Sequence, residues 1–225
     1  MKNSEYLAST SYFDYHNSAV QDYADSIVSD DTLSDKEIAV RLYKAVRDDI
    51  RYNPYTFSDK TESFSASYVI EAQESYCIPK AVLLGTLARY KGIPSRIGLA
   101  DVKNHLSSQQ LVDFLRSDVF VMHGYIELYI EGKWVKATPA FNARLCRIMG
   151  VEPLEFDGES DSVFHEFNGE GEKHMEYLAE HGTFEDLPLD FILDSIRKAY
   201  PHLSDAAVLA DSQTHSLEQD INSVK

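Results

Sequence analysis

The sequence predicts an α+β fold in which helices come first, an antiparallel sheet follows, and a helical tail ends the chain. Before residue 92, apolar side chains recur with the 3.6-residue period of helices, and over residues 95–138 they recur with the period of two that is typical of strands. No linker rich in Gly, Ser or Pro interrupts the chain. We therefore expect residues 1–225 to form a single domain, with a core at about residues 38–142 and a C-terminal helical extension over residues 143–225.

The composition is that of an ordinary globular protein, with 44% hydrophobic and 26% charged residues. The formal net charge of −16 argues against nucleic acid or an anionic membrane as a partner, because both require basic patches. Two cysteines, Cys77 and Cys146, are too few for a disulfide framework. The first residues lack the apolar run of a signal peptide, and no stretch reaches the length of a membrane span. We expect a cytoplasmic protein.

Two helices and a short third one are predicted before the first cysteine. Residues 20–27 place apolar side chains on one helical face. Ser34 and Glu37 form a capping box, which predicts a second helix that ends before Asn53-Pro54. A short helix over residues 67–72 then leads into the cysteine-bearing segment.

The central helix is predicted to begin at Cys77. Proline is tolerated only in the first turn of a helix, so Pro79 places the helix start two residues before it, and the Gly92-Ile93-Pro94 turn ends the helix. Free N–H groups and the positive end of the helix dipole favour a thiolate at this position, and we expect the thiol pKa to lie below its free value of about 8.5. The alternative is a small buried apolar residue, as free cysteine often is. The neighbours of Cys77, Tyr76 and Lys80, are polar or amphipathic, which favours a nucleophile at Cys77 over a buried apolar residue.

Three strands are predicted, over residues 95–102, 119–130 and 133–138. The last two form a hairpin whose two-residue turn is Glu131-Gly132. Side chains alternate along a strand, so this register places Thr138 diagonally beside His123, on the less aliphatic face of the hairpin.

Cys77 and His123 are the minimum pair for thiol acyl chemistry. The imidazole takes the thiol proton and later protonates the leaving amine. One alternative is a purely structural histidine. Another is a metal site built from Cys77, His123 and perhaps His105, but no close-spaced pair of ligands supports it. We expect neither a metal nor another cofactor.

The sequence resembles the transglutaminase-like superfamily, a papain-related group that is widespread in bacterial proteins. The resemblance covers roughly residues 38–142, and the order and spacing of four motifs together make it specific. These motifs are Cys77-x-x-Lys80-Ala81, Gly92-Ile93-Pro94-Ser95-Arg96, His123-Gly124-Tyr125-Ile126-Glu127 and Lys133-Trp134-Val135. The resemblance implies a papain-like core in which Cys77 is the nucleophile and His123 the base.

One position departs from the family pattern. The family ends its Trp-bearing strand with Asp-Pro, whereas this chain has Thr138-Pro139. A threonine hydroxyl can accept a hydrogen bond from the imidazole but cannot stabilise an imidazolium by charge. Asn142 is the other candidate for the third member, because papain-like enzymes use an asparagine in this role. The register favours Thr138.

The oxyanion of an acyl-transfer reaction also needs donors. The backbone N–H of Cys77 is the natural first one, since it lies at a helix start. The side chains of Gln73 and Tyr76 are candidates for a second.

We therefore expect a thiol acyl-transfer enzyme that acts on a peptide or amide substrate through a Cys77 thioester. Hydrolysis is favoured over transfer to an amine, because the chain is small and has no accessory domain. The alternative is a catalytically inactive binding module with the same fold, which the threonine at position 138 favours.

Overall fold

A computed structural model of the chain describes residues 4–30, 32–105, 107–164 and 175–223. The described part contains nine α-helices: α1 (Ser18–Ile27), α2 (Asp35–Asp49), α3 (Ala66–Ala72), α4 (Cys77–Tyr90), α5 (Gln109–Leu115), α6 (Ala143–Met149), α7 (Leu189–Ala199), α8 (Ala206–Ser212) and α9 (Leu217–Ser223). It also contains six strands: β1 (Arg51–Tyr52), β2 (Glu74–Ser75), β3 (Ser95–Asn104), β4 (Val119–Ile130), β5 (Lys133–Ala137) and β6 (Met175–Phe184). The predicted mixed α+β fold class is confirmed. No helix of the described residues is long and apolar enough to cross a membrane.

The main sheet has four antiparallel strands in the order β5-β4-β3-β6. The predicted hairpin register is confirmed, since Ile130 pairs with Lys133 and the ladder continues to Ile126 and Ala137. Both turn residues, Glu131 and Gly132, have positive φ angles of 50° and 87°. A two-residue turn of this kind matches the twist of the flanking strands and fixes their register.

Helix α4 lies in the centre of the molecule and packs on β4. Twelve of its fourteen residues are buried, including every residue from Ile78 to Arg89. A Cβ at Gly85 would lie 2.7 Å from Ile126 Cδ1, so this glycine allows the helix and the strand to approach closely. The start of α4 is thereby held against one position of the sheet.

The predicted helical extension requires a correction. Residues 143–225 do contain four helices, but they also contribute strand β6, which pairs with β3 at the edge of the sheet. The segment from Met175 to Phe184 shows no clean alternation, because most of its residues are partly or fully exposed and Gly182 adopts a φ of 92°. An exposed edge strand carries little of the apolar pattern on which a sequence-based prediction depends.

Candidate active site

The thiol of Cys77 lies at the first residue of α4, as predicted from Pro79. The preceding residue, Tyr76, is extended, and its side chain does not cap the helix. The backbone N–H groups of Cys77, Ile78 and Gly124 act to lower the pKa of the thiol. The sulfur therefore lies near both the helix start and the residue of β4 that follows His123.

Gly124 makes this close approach possible. A Cβ at position 124 would lie 2.8 Å from Ile78 Cα and 3.2 Å from its backbone nitrogen. The clash would be with backbone atoms, so no side-chain rotation could relieve it. Because only glycine fits here, the start of α4 rests directly on the strand that carries His123.

The imidazole of His123 is buried, with 4% of the residue exposed. Its ring packs against Phe164 at a centroid distance of 5.4 Å. Its Nε2 atom has no hydrogen-bond partner within the described part of the chain. Burial lowers the pKa of His123 to about 4, so the ring is neutral at pH 7.

His123 follows a β-bulge that sequence reasoning missed. Val121 and Met122 of β4 stand opposite the single residue Asp101 of β3, and Met122 has a φ of 61°. A positive φ is rare for a large side chain and needs support from its surroundings. The support is Asp101, whose Oδ1 accepts a hydrogen bond of 3.0 Å from the Met122 N–H and lies 2.8 Å from His181 Nε2. Since bulges redirect the residues beside them, this contact helps to set the position of His123.

Thr138 lies just beyond the last residue pair of β5 and is buried, with 1% exposed. Its carbonyl accepts a hydrogen bond of 3.2 Å from the Tyr43 hydroxyl. Its own hydroxyl, like His123 Nε2, has no partner among the described residues. The expected hydrogen bond between Thr138 and the imidazole is therefore not formed in this conformation. Pro139 is the next residue, and it ends the hydrogen-bond ladder between β4 and β5 that would have fixed the position of Thr138.

Asn142 is also buried, and its side chain has another role. Its Oδ1 accepts a hydrogen bond of 3.1 Å from the backbone N–H of Tyr52. This contact ties the segment before α6 to β1, and no bond from Asn142 to His123 appears among the described residues. The amide therefore supports the site through Tyr52, whose ring lines the space around the thiol.

The two oxyanion candidates lie in different surroundings. Gln73 is exposed at the end of α3, with a φ of 57°, and its amide donates a 2.6 Å hydrogen bond to the carbonyl of Ile70. It does not line the space around Cys77, so this geometry does not support an oxyanion role for it. Tyr76 does line that space, and its buried hydroxyl has no partner in the described ranges.

Cys77 and His123 line one cavity of ≈ 70 Å³. Three phenol rings, those of Tyr52, Tyr76 and Tyr200, also face it. Burial raises the pKa of the Cys77 thiol to about 11, although the three backbone N–H groups act to lower it. The expected lowering of the thiol pKa is therefore not found in this structure, because desolvation outweighs the effect of the helix start. Thiol and imidazole are both neutral at pH 7.

Two further residues of the predicted motifs are structural. Lys80 is fully buried and donates hydrogen bonds to the carbonyls of Arg47, at 3.0 Å, and Ile50, which ties α4 to the end of α2. Arg96 pairs with Glu127 across β3 and β4, at 2.5 Å, and its guanidinium lies 4.3 Å from the centre of the Trp134 ring. Across the described ranges, no group of three or more His, Cys, Asp or Glu residues could hold a metal ion.

Comparison with known proteins identifies a family whose model matches the chain. The family model of the Transglutaminase-like superfamily matches residues 21–139. No curated protein matches the sequence. Among solved structures, the chain is similar to a protein from Cytophaga hutchinsonii described as a "putative cysteine protease", with 15% sequence identity and a TM-score of 0.45. That match covers 80% of this chain but only 53% of the other, so this chain spans about half the length of the solved structure.

Proposed function

Because the chain belongs to the transglutaminase-like superfamily, we propose that Cys77 and His123 form a thiol–imidazole pair that cleaves an amide or peptide bond through a thioester. The observation that carries the proposal is the shared cavity. Both line it: a partly exposed thiol near three backbone N–H groups that act to lower its pKa, and a buried imidazole whose Nε2 has no partner among the described residues. An unpartnered buried nitrogen is costly unless a reacting group uses it.

The first step of the proposed reaction is proton transfer. His123 takes the thiol proton as the Cys77 sulfur attacks the carbonyl carbon of the substrate. The negative charge that develops on the carbonyl oxygen is stabilised by the backbone N–H of Cys77 and by the hydroxyl of Tyr76. The imidazolium then gives its proton to the leaving amine, and the acyl group stays on sulfur as a thioester.

The second step returns the enzyme to its starting state. His123 removes a proton from a water molecule, whose oxygen attacks the thioester carbon and releases a carboxylic acid and the thiol. An amine in place of water would give transfer instead of hydrolysis. We favour water, since the cavity of ≈ 70 Å³ is small. Thr138 and Asn142 remain the candidates for supporting the imidazolium, Thr138 through its free hydroxyl and Asn142 through Tyr52.

The test is cleavage of fluorogenic peptide amides, read together with the mass of the protein during turnover. The wild type should accumulate an acyl adduct on Cys77 and release the amine, and Cys77→Ala should do neither. Cys146→Ala is the matched control: this second cysteine is buried in α6, and burial raises its pKa to about 11 as well, but it does not line the cavity. It should retain activity. If neither an adduct nor Cys77-dependent cleavage appears across a broad peptide panel, the chain is an inactive binding module with the same fold.

A further inference from the structure

The walls of the cavity around Cys77 are almost entirely apolar. Beyond the reacting groups and the three phenols, it is lined by aliphatic and aromatic side chains, among them Pro54, Phe57, Phe114, Phe120, Ile196 and Leu203. No Lys, Arg, Asp or Glu among the described residues lines it. Its ≈ 70 Å³ is several times the roughly 10–15 Å³ that one buried water needs, so it has room for a side chain.

Part of this wall comes from outside the family match. Residues 21–139 match the family, whereas Ile196 of α7, Tyr200 and Leu203 come from the C-terminal segment. Tyr200 fixes this segment to the strand of His123, because its hydroxyl donates to the Val119 carbonyl at 2.5 Å and accepts from the Val121 N–H at 2.8 Å. This part of the apolar wall lies outside the family match, and Tyr200 anchors it next to the reacting groups.

One buried hydroxyl of the cavity has no partner. The Tyr200 hydroxyl is hydrogen-bonded to the backbone at Val119 and Val121, whereas the buried Tyr76 hydroxyl has no partner in the described part of the chain. Phe57 and Phe64 pack edge-on against its ring and hold it in place. A fixed donor in an apolar pocket orients a ligand that brings an acceptor with it.

We propose that this cavity is the acyl-side specificity pocket. It takes an uncharged apolar side chain, of the size of leucine or phenylalanine, from the residue whose carbonyl Cys77 attacks, while Tyr76 donates a hydrogen bond to that carbonyl. The assignment of the pocket to the acyl side of the reaction rests on the proposed function. The preference for binding apolar side chains does not depend on it. Burying a charged side chain here is unfavourable, because the wall offers no counter-ion.

Two measurements separate the pocket from the chemistry. The first is equilibrium binding, by fluorescence anisotropy, of labelled peptides Ala-Ala-X-Ala with X = Leu, Phe, Gln, Lys or Glu to Cys77→Ala. The second is kcat/KM of the wild type for the matching peptide amides. Leu and Phe should exceed Lys and Glu by about 10²-fold in kcat/KM and by at least tenfold in affinity, in line with other apolar pockets.

Variants test the wall itself. Ile196→Ala should shift the preference from Leu towards Phe, because it enlarges the pocket, and Leu203→Asp should reduce the binding of Leu and Phe peptides at least tenfold. Leu193→Ala is the matched control, since Leu193 is buried on the same helix but does not line the cavity. Leu193→Ala should leave the order of preference among the peptides unchanged. It also shows how much of a loss of binding comes from a general loss of stability.

The outcomes are distinct. If cleavage depends on Cys77 but Lys or Glu peptides have the same kcat/KM as Leu peptides, the proposed specificity pocket is overturned and the proposed function stands. A preference for apolar peptides in Cys77→Ala binding, with no cleavage by the wild type, would support the pocket and overturn the proposed function. Equal binding of all five peptides, or a change of preference in Leu193→Ala as large as in Ile196→Ala, would also overturn the pocket.

Discussion

The two sides of the candidate site are held in place by different kinds of contact. Cys77 lies at the start of α4, where Pro79 in the first turn fixes the beginning of the helix. His123 lies on β4 directly after a bulge, and a residue of the neighbouring strand, Asp101, holds that bulge. The helix side is specified by residues close in sequence, the strand side by residues some twenty positions apart. The position of the strand side should therefore be the more sensitive to single substitutions.

The largest effect is expected where the two sides touch. Gly124→Ala places a Cβ 2.8 Å from a backbone atom of Ile78, so the helix start must move away from the strand. A displacement of this size in a catalytic pair costs about 10²-fold in kcat/KM, and overpacking costs about 1–3 kcal/mol of stability. Peptide-amide cleavage and urea unfolding measure the two effects.

Gly98→Ala is the matched control for this prediction. Its Cβ would clash with the ring of Tyr125, at 2.2 Å, and not with the helix start. It should lose stability to a similar extent and retain more activity. Equal activity losses in the two variants would show that the contact between Gly124 and Ile78 has no special role.

The second prediction addresses the strand side alone. Asp101→Ala removes the acceptor for the Met122 N–H and should lower kcat/KM about 30-fold, or about 2 kcal/mol, through displacement of His123. Asp101→Asn keeps an oxygen acceptor at the same place and should recover most of this loss. Asp118→Ala is a suitable control, because Asp118 pairs with Lys103 on the same sheet without touching the bulge. Failure of asparagine to rescue the alanine variant would assign the effect to the charge beside His181 and not to the bulge.

These two predictions concern the part of the site that the sequence left open. The helix start and the hairpin register could be predicted, since Pro79 and Glu131-Gly132 act on their immediate neighbours. The bulge could not, because it depends on Asp101 meeting Met122 across two strands. The role of Gly124 could not be predicted either. The sequence shows a glycine beside His123, but only the packing shows which atoms a side chain at this position would contact. Edge strand β6 was missed because exposure removes its apolar pattern.

The third prediction tests how the helix side is anchored. Burial lowers the pKa of Lys80 to about 7, from 10.5 in the unfolded chain, so the unfolded state binds more protons between these values. Stability must then rise with pH in this window, by about 2 kcal/mol between pH 7 and 9. Urea unfolding at several pH values should show this rise in the wild type and a flatter curve in Lys80→Met. Parallel curves would mean that Lys80 keeps its proton in the fold, bound to the carbonyls of Arg47 and Ile50.

The smallest effect concerns the position at which the chain departs from its family. With the pKa of Cys77 raised to about 11 and that of His123 lowered to about 4, the wild-type pair is neutral at pH 7. The alkylation rate of Cys77 by iodoacetamide should therefore keep rising well above pH 9. In Thr138→Asp, a buried carboxylate favours the imidazolium and with it the thiolate. Alkylation at pH 7 should then become about tenfold faster, or about 1.4 kcal/mol.

Two controls decide whether this gain passes through His123. Thr138→Val keeps the shape of the side chain and removes only a hydroxyl that has no partner in the described part of the chain, so the rate should not change. His123→Ala in the Thr138→Asp background should abolish the gain. If the gain survives without His123, the carboxylate acts on access to the thiol and not on an ion pair. If Thr138→Asp instead lowers activity, the buried charge disturbs a site whose support comes from Asn142 through Tyr52, and Asn142→Ala should then cause the larger loss.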